Sequence, residues 1–99
     1  MKNSVDIAYS LFGGFYLSNS AYEYLKKWYN LTEEEVNNLE RHDIRLIKCL
    51  NSIGRVAAEV GTKIAIYSLK DAEKYAIIKN DDGSETIITL NDFDWINVN

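Results

Sequence analysis

A chain of 99 residues with net charge −4, 46% hydrophobic and 26% charged residues, has the size and make-up of one soluble domain. The mild acidity argues against a sequence-independent grip on nucleic acid, which needs clustered Lys and Arg, and is too small for a surface that imitates DNA. A single cysteine, Cys49, excludes an internal disulfide and fits a reducing compartment, while no apolar run reaches the ~18 residues of a membrane span and Asp6 interrupts any leader-like segment.

The first element is a strand. In SVDIAYS, Val5, Ile7 and Tyr9 alternate with Ser4, Asp6 and Ala8, the period-two pattern of a half-buried strand. LFGG at 11–14 breaks that pattern, and the next residues open a helix. Ser18 suits the N-cap, Leu17 can staple onto Tyr22, and Ala21, Leu25 and Trp28 lie along one helical face. Asn30 is the expected stop. Thr32 and Glu35 then form a capping box for a short second helix through Val36 and Leu39.

In RHDIRLIKCLNSIG, Asp43 caps a third helix with Ile44, Leu46, Ile47, Leu50 and Ile53 as its apolar stripe. Gly54 stands where a helix commonly ends with positive φ. RVAAEVG either extends that helix by a turn after a kink or forms an irregular link. The last third is rich in β-branched residues: TKIAIYSL (62–69), EKYAIIKN (73–80) and ETIITL (85–90). Asp82-Gly83 between two such runs is a hairpin signal. Phe93 and Trp95 are expected to pin the chain end onto the core. The predicted architecture is α+β: an antiparallel sheet of about four strands, the last three a meander, with two to three helices on one face, in the order β-α-α-α-β-β-β.

Catalytic constellations are sparse. His42 and Cys49 offer a base and a thiol, but seven residues along a helix separate them by ~10 Å, far beyond hydrogen-bond reach. One His and one Cys supply no zinc site, and DDGSE lacks the spacing of a calcium loop, so no metal and no cofactor are expected. The Gly13-Gly14 pair before a helix start has the outline of a phosphate loop. Without a third glycine or a lysine, it reads better as a turn or a close backbone contact. Arg41, Arg45, Lys48 and Arg55 recur at spacings that place them on one face if the helix continues past Gly54. Such a stripe either captures phosphate or carboxylate, or is a solvated face paired with acidic residues.

Three segments taken together, GGFYLS, RHDIRL and DDGSE, resemble the GGFxLS, RxDxxL and DGxE segments of a family of small phage and prophage proteins, in the same order along nearly the whole chain. The matching positions are Gly13, Gly14, Phe15, Leu17, Ser18, Arg41, Asp43, Asp82, Gly83 and Glu85. Ile44 stands where the family often has Pro, Asn80-Asp81 precede Asp82-Gly83 where a Tyr is usual, and TEEEVNNLE looks inserted. The resemblance implies a phage setting, host-cell cytoplasm and no known enzymatic activity.

The resulting expectation is a non-enzymatic binding protein, a host-defence inhibitor that either sequesters a signalling nucleotide or blocks a host protein. Its expected site comprises Gly13, Gly14, Phe15, Tyr16, Ser18, Tyr22, Arg41, Asp43, Arg45 and Lys48, with arginines on phosphates and aromatic rings on a base or a partner surface. Partners are a small phosphorylated ligand or a host protein, with no membrane, and self-association would supply concavity that a small domain lacks. The alternatives are a phosphoester-processing enzyme built on His42, Asp43 and the arginines, and, last, a nucleic-acid-binding regulator.

Overall fold

The computed structural model describes residues 4–70 and 74–89. They form β1 (Ser4–Phe12), α1 (Asn19–Tyr29), α2 (Glu33–Asn37), α3 (Ile44–Ile53), a 3-10 turn (Gly54–Ala57), β2 (Lys63–Lys70), β3 (Ala76–Lys79) and β4 (Glu85–Ile88). The class is α+β, in the order the residues predict. The positions of Phe93 and Trp95 lie outside the described residues.

Each helix begins where the chain supplies a side-chain acceptor for its unpaired N–H groups. Ser18 Oγ accepts from Ala21 N–H, and Asp43 Oδ1 accepts from Arg45 N–H at 2.8 Å. The Thr32–Glu35 capping box is closed in both directions, at 3.2 and 2.9 Å. Asn30 ends α1 in the left-handed conformation. Gly54 ends α3 at φ 61° and ψ −133°, a conformation that diverts the chain into the 3-10 turn instead of prolonging the helix.

The sheet differs from the single one expected. β1 pairs antiparallel with β2, with Ala8 opposite Ile66, and β3 pairs antiparallel with β4, with Ile78 opposite Thr86. Among the described residues the two ladders remain separate two-stranded units, so the last three strands are no meander. The cause lies in the side of β1 turned away from β2. Ala8 N–H donates to Arg41 O at 2.9 Å and Ser10 N–H to Glu85 Oε1 at 2.9 Å. Those donors are therefore unavailable to a neighbouring strand, and β4 meets β1 through a side chain.

The β1–β2 ribbon is covered on both faces. Ala8, Ile64 and Ile66 face the helices, where Ala21, Leu25, Val36, Leu46, Ile47 and Cys49 form the larger core cluster. Ile7, Leu69 and Ile87, with Tyr9, Tyr75 and Ile77 against them, form a smaller cluster under the β3–β4 hairpin. Ala8 belongs to the buried helix-facing side, although its small size let it pass in the sequence for the outward phase of an alternating strand.

Glycines let three turns meet. A Cβ on Gly13 would lie 2.5 Å from Gly61 O, and one on Gly83 would lie 2.8 Å from both Gly13 C and Gly14 N. Gly13 and Gly83 also have φ near 79° and 87°. Gly83→Ala would combine left-handed strain of ~1–2 kcal/mol with a backbone overlap that cannot be relieved by a rotamer change. Urea unfolding should give a loss of about 2 kcal/mol or more, with the hairpin amides losing exchange protection first.

Candidate functional site

The site begins at the unpaired edge of β1. Arg41 follows α2 and precedes the α3 cap, so its side chain is free to cross β1 towards the hairpin. Its Nη1 and Nη2 reach Glu85 Oε1 and Oε2 at 2.7 and 3.0 Å, a bidentate pair, and Nη1 also donates to Ala8 O at 3.3 Å. The Phe15 ring lies under the guanidinium, 3.7 Å from carbon to centroid. The Glu85 side chain is 2% exposed and that of Arg41 20%. Burial pushes the Glu85 carboxyl up, but hydrogen bonds from Arg41 and Ser10 and the Arg41 charge outweigh it and hold the group below its ordinary value.

Beside this junction lies a cleft of about 500 Å³ between the GGF turn, α1 and α2. Phe15, Tyr16, Leu17 and Tyr22 form its aromatic and apolar wall, Leu39 and Leu46 its opposite side, and Arg41 its inner end. Tyr22 Oη donates to Asn37 Oδ1 and so joins α1 to α2 across it. Glu59 stands on the rim, placed there because Glu59 N–H donates to Tyr16 O at 3.0 Å. Burial raises the Tyr22 phenol, and the negative charges of Glu33 and Glu59 raise it further, so the local field is acidic.

The expected site residues separate into groups. Phe15, Tyr16, Tyr22 and Arg41 come together at the cleft. Gly13 and Gly14 lie at the glycine junction, where Gly14 leaves room for the Tyr16 ring. Ser18 is a cap that also donates to Val56 O. Asp43 and Arg45 satisfy each other at 2.8 Å, and hydrogen bonds from Arg45 hold the Asp43 carboxyl low. Lys48 is exposed on α3, away from the cleft. The four cations do not share one helical face, because Arg41 precedes α3 and Arg55 follows the Gly54 break.

Glu59, Asn37 and Asn19 line the cleft without having been singled out from the sequence. Glu85 had appeared only as a motif position. A signal for it existed: Glu85 shares its strand face with Ile87, and a carboxylate on the apolar side of a strand requires a buried partner.

His42 Nδ1 is 2.7 Å from Tyr75 Oη, whereas Cys49 is fully buried with its thiol pushed up to about 11, so the two do not form a base–nucleophile pair. Among the described residues no group of three His, Cys, Asp or Glu side chains is placed to hold a metal ion. No helix among them is long and apolar enough to cross a membrane.

Removing either partner of the Arg41–Glu85 pair leaves the other's charge largely buried without its counter-ion, while the Ser10 N–H keeps an oxygen acceptor at position 85 in both variants below. Arg41→Met or Glu85→Gln should each cost ~3–5 kcal/mol in chemical denaturation. Because the folded carboxyl is held below its unfolded value, the pair's contribution is complete above about pH 5 and is lost as pH falls through the lowered folded value. The Tm difference between the wild type and Glu85→Gln should therefore be constant from neutral pH to about pH 5 and shrink below it.

The chain matches no protein-family model, no curated protein and no solved structure.

Proposed function

We propose that this chain is a non-enzymatic binding protein of the phage accessory type, which inhibits host defence in the host cytoplasm by occupying a host protein. Sequestration of a signalling nucleotide is the weaker of the two forms. The observation that carries this choice is the state of Arg41: among the described residues it is the only cation lining the cleft, and it is already neutralised by the bidentate Glu85 carboxylate. Arg45, the second arginine expected to meet phosphate, is taken by Asp43 and lies outside the cleft. With Glu59 on the rim and Glu33 near Tyr22, a phosphate entering this space meets net negative charge.

The same walls suit a protein surface. Tyr16 is 57% exposed at the cleft mouth, and Val56 and Val60, 60% and 100% exposed, line an adjoining depression that shares Leu17, Asn19 and Glu59 with it. A rigid aromatic anchor beside exposed aliphatic side chains and polar rim groups is the make-up of an interface centre. The resemblance of GGFYLS, RHDIRL and DDGSE to phage proteins supplies the setting.

A thermal-shift panel of signalling nucleotides separates the two forms. A ligand at a hundred times its Kd adds ~2.7 kcal/mol, on the order of 10 °C for a domain of this size. No nucleotide should move the Tm, and none should be consumed. A host protein retained from lysate by the wild type should bind Tyr16→Ala at least tenfold more weakly. A nucleotide shift of that size, abolished by Tyr22→Ala, would establish sequestration instead.

A further inference from the structure

β2 is paired on one side only. Its register with β1 sets Ala8 opposite Ile66 and Ser10 opposite Ile64, and the main-chain groups of Ala8 and Ser10 point away from β2. In an antiparallel ladder the residues opposite them must likewise point away. The N–H and C=O groups of Ile64, Ile66 and Ser68 therefore line the outer edge of β2, and among the described residues they have no main-chain partner. Each of these residues offers one donor and one acceptor to an incoming chain.

A groove of about 330 Å³ runs beside this edge. Leu50 of α3 and Ala58, just after the 3-10 turn, form one wall, and Ile64 and Ile66 the strand wall. Among the described residues its charged lining residues are Arg55 and Lys63, and no carboxylate lines it. An unpaired strand edge with an apolar groove alongside is the arrangement that accepts an extended peptide as an added strand, with main-chain bonds giving affinity and the groove taking alternate side chains.

We propose that the outer edge of β2 is a second docking surface, independent of the cleft at Arg41, which takes an extended partner segment of alternating apolar and acidic residues. Charge decides between the occupants. A basic strand would meet Arg55 and Lys63 with no carboxylate to offset it. A second copy of β2 would bring the same cations to the same place. An acidic segment pairs with both while its apolar side chains enter the groove.

The test uses the intact 99-residue chain and two synthetic peptides, six residues each, capped at both ends, one alternating Val with Glu and the other Val with Lys. Binding is followed by amide chemical shifts and hydrogen exchange. The Glu peptide should shift and protect the amides of Ile64, Ile66 and Ser68, with the Lys peptide at least tenfold weaker. In the variant Arg55→Glu/Lys63→Glu, both changes being at exposed positions, the preference should reverse. Equal binding of the two peptides, or shifts confined to other residues, would overturn the proposal. Concentration-dependent protection of the same three amides without peptide would overturn it in favour of a second copy as occupant.

Discussion

The Arg41–Glu85 pair decides how this domain is assembled. A strand with one open edge, as β1 would be beside β2 alone, presents main-chain donors there that need partners or water. Here they are satisfied by an arginine carbonyl at Ala8 and a glutamate carboxylate at Ser10, while the arginine head group returns to Ala8 O. One ion pair thus ties the chain after α2, the first strand and the last hairpin together. Its polar groups are paired with one another and with backbone, which is what allows a charge to lie 2% exposed.

That arrangement has a chemical consequence at the surface. An arginine whose fork is filled by a carboxylate is a positioning group, and it presents little net charge to a ligand. The guanidinium stacked on Phe15 orients the GGF turn and with it Tyr16. The cleft is consequently aromatic, lightly acidic and bounded by amide side chains, the features that support the proposal of protein recognition over phosphate capture. The glycines serve the same construction. Gly13 and Gly83 are places where two main chains touch, and no anion-binding role is needed to account for them.

The small core follows from the same economy of chain. With the β1–β2 ribbon between the helices and the hairpin, a domain of this length buries both faces of one strand and keeps two apolar clusters. It leaves the far edge of β2 without a main-chain partner among the described residues. The cation-lined groove beside that edge is the second surface that the fold creates.

The local grammar of the chain was legible in its residues. Ser18, Thr32 with Glu35, and Asp43 mark helix starts because capping is a contact within three or four residues, and Asp82-Gly83 marks the hairpin for the same reason. The order of elements and the α+β class follow from these signals and from the shift to β-branched residues after position 62. Strand pairing was not legible, because β1 chooses β2 across some sixty residues and the competing edge is closed by Arg41 and the Glu85 side chain instead of a ladder. Nor was the fate of the cations. Spacing places Arg41, Arg45 and Lys48 near one another, but only the tertiary structure shows Arg41 committed to Glu85 and Arg45 to Asp43. Where helices begin and where the chain turns could be read from the residues alone, since those depend on neighbours in the chain. Which charges remain free, which edge remains open and which aromatic rings gather at a cleft depend on contacts between distant segments, and folding alone decided them.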